Sequence, residues 1–247
     1  VAVAAGGALA NGWTMTGARA SEIIRLRQSG TFTGADINCA NFGVSDASNG
    51  VVNATFLDSS LDVGNFYIGW GNNFVKGGSV TLGAGTTLLT GKIAVGDTGT
   101  NIYDNVGSCL TVDGGTINHT GTTFYVSYAS PHAEFVLNAG AVTVDKAAIQ
   151  LHANSATNFA HLGGHSVGVF RQNGGTFNYG GAGFVSNEYE DNAEDGAVVF
   201  RGGTFNASAN WSIPHFIPLC FKDGGTGWTL NQANGTTATW TTALVGN

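Results

Sequence analysis

The chain reads as an all-β protein, a right-handed parallel β-helix of about eight three-stranded coils. Three observations predict this. A Gly-Gly-Thr step followed by an apolar or aromatic residue returns every few tens of residues, in Arg171-Gln-Asn-Gly-Gly-Thr-Phe-Asn178, Arg201-Gly-Gly-Thr-Phe-Asn206, Asp113-Gly-Gly-Thr-Ile-Asn118 and Lys76-Gly-Gly-Ser-Val-Thr81. Looser copies are Arg27–Thr33, Asn138–Thr143 and Asp223–Thr226. A second phrase, a short apolar strand ending in a small or polar residue, keeps time with the first. Finally, the composition suits stacked short strands: 39 Gly, and only 10% charged residues against 43% hydrophobic ones. A phrase that returns at such a period marks a repeat architecture.

The second phrase begins at Trp13-Thr-Met-Thr-Gly17, Phe42-Gly-Val-Ser-Asp46, Phe66-Tyr-Ile-Gly-Trp70 and Lys92-Ile-Ala-Val-Gly96. It continues at Phe124–Tyr128, Ile149–His152, Phe184–Asn187 and Trp211–His215, with a weaker copy at Leu244–Asn247. The equivalent apolar residues are Met15, Val44, Ile68, Val95, Val126, Leu151, Val185, Ile213 and Val245, spaced about 29 residues apart, one solenoid repeat. Within a period the order is constant: this strand, a loop of variable length, an apolar strand, the Gly turn, then a Thr-apolar strand. Apolar residues alternate in each strand and so share a face. One Gly of each pair is expected at positive φ, where a β-carbon clashes. Stacked coils bury one column of Val, Ile, Leu and Phe, in a rod of about 40 Å at about 4.8 Å per coil. Right-handedness follows the rule for parallel β connections. An antiparallel sandwich is the alternative, but it does not explain a repeating three-strand order. Ser21 could cap a helical turn over 20–27. Leu26–Phe32 copies Phe170–Phe177, however, so the chain from Arg25 onward reads as the strand of the first coil.

The expected domain organisation is a lead-in or cap over 1–12 and a single β-helix over 13–247, part of a longer chain. The start, Val1–Ala10, lacks both Met and a basic flank, and so reads as a mature N-terminus or a cut piece rather than an intact signal peptide. No apolar run reaches the length of a membrane-spanning helix. A net charge of −7 with nine Lys plus Arg disfavours nucleic acid as a partner. Arg19, Arg25 and Arg27 read as decoration of the first strand. Cys39, Cys109 and Cys220 lack any C-x-x-C spacing, and their odd number fits buried packing better than a disulfide framework.

The two phrases together resemble the repeats of bacterial autotransporter (type V secretion) passengers and of PEP-CTERM-associated surface proteins. Ala94-Val-Gly96 leading to Leu110-Thr-Val-Asp-Gly-Gly-Thr116 matches best, and the likeness covers most of 13–226. The resemblance implies a secreted or cell-surface structural solenoid: a fibre, stalk or adhesin passenger. The long loops at 97–108, 153–167 and 187–197 depart from it. Self-association or other surface proteins are the expected partners, with end-to-end assembly through 227–247, where Thr236–Leu244 reads as an uncharged strand without a polar cap. The alternatives are a glycan-binding or polysaccharide-degrading β-helix and a phage tail-fibre segment.

Chemistry is sparse along the chain. Five acidic residues fall within eight positions: Glu188, Glu190, Asp191, Glu194 and Asp195. Hard oxygen ligands of this kind suit Ca²⁺. The spacing matches no EF-hand loop, and a solvated acidic loop is the competing and favoured reading. His132, His152, His161, His165 and His215 show no zinc-ligand spacing. The remaining carboxylates are scattered about one per coil, and Asp58-Ser-Ser-Leu-Asp62 reads as a turn, so no catalytic pair emerges and no cofactor is expected. Tyr67, Trp70, Tyr125, Tyr128 and Tyr179 are candidates for an exposed sugar-binding platform, with alternation sending about half of them into the core.

Overall fold

The computed structural model describes residues 2–3, 14–16, 23–45, 51–72, 77–96, 98–99, 107–128, 132–152, 167–186, 196–215, 217–221, 227–241 and 244–246. All regular structure among them is β, and every strand pairing is parallel. The chain winds through three rows. Row one carries the apolar strand, a Gly turn leads to row two, a tight corner leads to row three, and a longer loop returns to row one.

Three short strands lead in: β1 (Ala2–Val3), β2 (Thr14–Thr16) and β3 (Ile23–Leu26). Row one then opens with β4 (Gly30–Thr33), and β5 (Asp36–Val44) runs through rows two and three without a break. The next turns repeat this as β6 (Val52–Leu57) with β7 (Ser60–Ile68), then, after β8 (Gly71–Asn72), β9 (Gly78–Gly83) with β10 (Thr87–Val95). Beyond β11 (Thr98–Gly99), which pairs β8, the single long strand β12 (Ser108–Tyr125) serves all three rows. It is followed by β13 (His132–Val144) with β14 (Ala148–His152), then by β15 (Val167–Gln172), β16 (Thr176–Tyr179) and β17 (Phe184–Ser186). Two further turns comprise β18 (Gly196–Phe200), β19 (Gly203–Ala207) and β20 (Trp211–Ile213), then β21 (Leu219–Phe221), β22 (Trp228–Gln232) and β23 (Ala238–Trp240), before β24 (Leu244–Gly246).

Alternation decides what lies inside. The inward column of row one is Phe32, Phe56, Leu82, Val112, Leu137, Gln172, Phe200 and Phe221, each opposite the next. Gln172 is fully buried in this apolar column because its amide is used: Nε2 donates to the Thr204 carbonyl at 3.0 Å, and Oε1 accepts from Trp228 Nε1 at 3.3 Å. Aromatic rings continue from coil to coil. Phe170 packs on Phe135 (5.4 Å), Phe177 (5.1 Å) and Phe184 (5.0 Å), while Phe177 stacks on Phe205 at 5.3 Å. Such pairs contribute about 0.5–1.5 kcal/mol beyond their burial.

The glycine punctuation is physical. At the turn from row one to row two, Gly114, Gly140, Gly175 and Gly203 have φ of 101°, 89°, 63° and 85°. They also sit on one another. A β-carbon on Gly140 would lie 2.1 Å from the Gly115 carbonyl oxygen, and one on Gly203 would lie 2.4 Å from that of Gly175. The small residue that closes the second phrase has a similar cause: Ser45, Gly69 and Gly96 leave row three at φ of 63°, 71° and 67°.

Register corrects several equivalences. Met15 pairs with Ile37 and so belongs to row two, not to the row of Val44. Leu244 pairs with Leu219 in row one. Phe32 lies in row one and Phe177 in row two, so the likeness of Leu26–Phe32 to Phe170–Phe177 is coincidental. Ile23–Leu26 is a row-three strand rather than a helical turn or a row-one strand. Val80, in the Lys76–Thr81 copy, pairs with Leu110 of row one, so that copy is not a row-two turn. Val185 lies opposite Gln150, not Leu151, and Phe184 continues the inward column from Ile149; a bulge at Leu151 then brings Ser186 opposite His152. The count of about eight coils also needs refining. Six turns keep all three strands in the one sheet. In the last two, the row-three strands β20 and β23 separate into a sheet of their own, as the corner before them lengthens.

Gly140→Ala is expected to cost at least about 1–2 kcal/mol through its left-handed backbone, with further loss from the carbonyl contact. Gly30→Ala, whose β-carbon would meet nothing closer than 3.8 Å, is expected to leave stability within about 0.5 kcal/mol. Urea denaturation of the two variants measures both.

Candidate functional site

The outward positions of row three form a strip. In register these are Arg25, Gly43, Tyr67, Ala94, Tyr125 and Gln150. Small residues alternate with large ones, and each gap is filled from nearby in the chain. Trp70 folds over Gly43, where a β-carbon would stand 2.5 Å from its ring. It stacks on Tyr67 at 4.6 Å and 12°, and the Arg25 guanidinium lies 4.8 Å from its ring centre. The gap at Ala94 is taken by Lys92 from the same strand. Its ammonium sits 5.0 Å from the Tyr67 ring, 5.4 Å from Tyr125 and 5.6 Å from Tyr128. Tyr125 and Tyr128 pack at 5.1 Å. Tyr67 is buried beneath this layer, while Trp70, Lys92, Tyr125 and Tyr128 are half-exposed. Cations over ring faces are held by the ring quadrupole.

A second feature crosses row one. Asn53, Ser79, Cys109, Glu134 and Val169 follow one another outward and line a groove of about 460 Å³. Ser79 Oγ donates to Asn53 Oδ1 at 2.7 Å. Arg171, one coil on, places Nε and Nη2 each 2.6 Å from Glu134 Oε1. Cys109 lies 3.4 Å from Thr111 Oγ1, and burial pushes its thiol pKa up, with the nearby Glu134 charge acting the same way. A thiol held protonated is a poor nucleophile, and the carboxylate is committed to a guanidinium. These groups hold one another in place across coils.

The corner between rows two and three carries a second set of buried polar groups. Its last inward position runs Cys39, Val63, Thr90, His119, Val144, Tyr179, Ala207 and Gln232. The corner lengthens along the stack, and its exposed carbonyls are met by whichever inward side chain reaches them. Thr90 Oγ1 donates to the Lys92 carbonyl at 2.9 Å. His119 Nε2 is 2.8 Å from the Thr123 carbonyl, and the Tyr179 hydroxyl is 2.7 Å from both the Gly183 carbonyl and the Gly183 amide. Burial holds the His119 pKa below the usual 6.5, opposed by the Thr123 carbonyl and by Asp145, and burial raises that of Tyr179. The neutral imidazole is therefore the form that the core accepts.

The candidates from sequence divide as follows. Glu188, Glu190, Asp191, Glu194 and Asp195 lie outside the described residues, as do His161 and His165. Among the described residues no group of three or more His, Cys, Asp and Glu converges on a metal-sized site. His152 is fully buried, whereas His132 and His215 are exposed. His152 pairs with Ser186. Of the expected turn at Asp58–Asp62 only the start holds: Asp58 bends the chain at φ 47°, whereas Ser60–Asp62 already belong to β7. Cys39 is buried, and Cys109 and Cys220 are half-buried, all three as thiols. Of the five aromatic candidates, Tyr67, Trp70, Tyr125 and Tyr128 come together, while Tyr179 belongs to the core. Sequence reasoning missed Lys92 as the centre of this cluster and missed the Glu134–Arg171 pair, 37 residues apart. The Lys-x-Ala sequence of Lys92 and Ala94, set between two coils with Tyr at the Ala position, was the available signal for the first. Comparisons with protein-family models, characterised proteins and solved structures found no match to the chain.

Because its folded pKa is lowered, His119 contributes stability that is fully present above about pH 6.5 and is lost as pH falls below it. Thermal melts between pH 7.5 and 4.5 are expected to show a decline that is shallower in His119→Gln, whose amide can still donate to the Thr123 carbonyl without titrating. Equal slopes would remove His119 from the acid response.

Proposed function

We propose that the chain is a structural β-solenoid of a secreted or cell-surface bacterial protein, a fibre, stalk or adhesin passenger that associates end to end. The observation that carries the reading is what the repeated outward positions are used for. They bond to their own equivalents in the next coil. Asn173 Nδ2 donates to Asn138 Oδ1, Asn206 to Asn178, Asn231 to Asn206 and Asn65 to Asn41, each at 2.8 Å. Ladders of like amides of this kind stiffen stacked parallel strands. A rod reinforced along its length is suited to holding something at a distance. The likeness of Leu110–Thr116 to passenger repeats supports export.

End-to-end association is supported by the last described turn. Trp228 and Leu230 are only half-buried, and Trp240 is 37% exposed, although all three belong to strands whose counterparts one coil earlier are covered. Parallel strands with an unpaired edge accept further strands. Sedimentation of the chain over a wide concentration range is expected to show mass rising with concentration, and Leu230→Lys with Trp240→Lys is expected to abolish the rise. A monodisperse monomer throughout would overturn the association.

A further inference from the structure

We propose that the outward face of row two binds the surface of an ice crystal through a two-rank array of hydroxyls and amides. The inference goes beyond the structural role and does not depend on it.

Three observations carry it. Register fixes the array. Thr87, Thr116, Ala141, Thr176, Thr204 and Thr229 follow one another coil by coil in the first rank. Leu89, Asn118, Thr143, Asn178, Asn206 and Asn231 do so in the second. Neighbours within a rank stand about 4.8 Å apart and the ranks about 6.7 Å apart, over a length of about 24 Å. Every one of these positions is half-exposed or exposed.

The array is also held in place. Asn178 Nδ2 donates to Thr143 Oγ1 at 3.3 Å, and Asn206 and Asn231 each donate to the amide oxygen one coil earlier at 2.8 Å. A β-branched Thr is stiff at χ1. Little side-chain freedom therefore remains to be lost on binding.

The array is uncharged, on a chain with 16 acidic and nine basic residues. No Asp, Glu, Lys or Arg occupies either rank from Thr87 to Asn231. The described charges that flank it, Asp113 and Arg201 on one side and Asp145 and Lys146 on the other, belong to the turns that bound the row. Row one has a Thr rank too, Thr31, Thr55, Thr81 and Thr111, but Glu134 and Arg171 interrupt that face in the coils that follow.

A neutral face that repeats in two directions is complementary to a neutral partner that repeats likewise. Water oxygens on the prism faces of hexagonal ice repeat at similar intervals along two perpendicular directions. They donate and accept hydrogen bonds, as hydroxyls and amides do. Crystalline polysaccharides are neutral lattices as well, but their pyranose faces pack on aromatic rings, and neither rank contains one.

The test is growth of a single ice crystal in solutions of the chain, held just below the melting point of ice. A gap between the melting and freezing temperatures that widens with protein concentration is expected, with crystals growing as facets rather than discs. Thr176→Tyr with Thr204→Tyr is expected to abolish the gap, because the rings hold the lattice off the array. Thr81→Tyr, on row one, is expected to leave it unchanged. Thermal unfolding identifies a variant that fails to fold, in which case Thr204→Lys carries the test in place of the pair. Co-sedimentation with microcrystalline cellulose is the second arm, and no pelleting is expected. No gap at any soluble concentration, a gap that survives the folded row-two variants, a gap lost in folded Thr81→Tyr, or pelleting with cellulose in place of a gap would each overturn the proposal.

Discussion

Every coil must return to hydrogen-bonding register with the coil before it, and the rest of the structure depends on that constraint. Parallel strands satisfy their backbone groups only through the neighbouring strand, so each circuit, however long its loop, has to deliver three short segments to fixed places. The Gly turn does this between rows one and two, where the backbone passes through positive φ and packs directly on the turn below. The small residue at the end of row three does it again. Between rows two and three the corner varies in length, and the cost appears as buried carbonyls. Thr90, His119 and Tyr179 occupy equivalent inward positions: Thr90 serves a shorter corner, closing on Ile93, while His119 and Tyr179 serve longer ones of equal length, closing on Phe124 and Phe184. Where the corner grows further, before β20 and β23, row three leaves the main sheet.

The outer surface follows from the same stacking. Once register is fixed, outward residues meet their equivalents about 4.8 Å away, and chemistry is decided by what can sit at that spacing. Amides pair with amides. In row three Gly43 and Ala94 leave space that Trp70 and Lys92 occupy. The aromatic strip is therefore a packing solution, in which Trp70, Lys92, Tyr125 and Tyr128 stay half-exposed.

Much of the fold was legible in the sequence because the stack writes itself into it. The period, the order of the three strands and the positive-φ turn all follow from Gly, Thr and alternating apolar residues. Register was less legible, since Phe32 and Phe177 occupy similar local phrases in different rows, and Thr-Met-Thr at 14–16 reads equally well as either of two strands. Bulges such as that at Leu151 shift an alignment by one residue without any compositional mark. Of the site, the aromatic members could be named but not joined: alternation alone does not tell Tyr179, which turns inward to cap a corner, from Tyr125, which faces out. Lys92 gained its meaning only once Ala94 was placed between Tyr67 and Tyr125. Arg25, read as strand decoration, became an end of the same strip.

The central claim is the parallel register, and cysteine cross-linking measures it most directly. In a background with Cys39, Cys109 and Cys220 replaced, Thr143→Cys with Asn178→Cys places two thiols opposite each other on adjacent coils, within disulfide reach. Thr143→Cys with Asn206→Cys places them two coils apart. The account predicts a rapid intramolecular disulfide in the first pair and none in the second. A cross-link confined to the second pair, or none in a folded first pair, would contradict it.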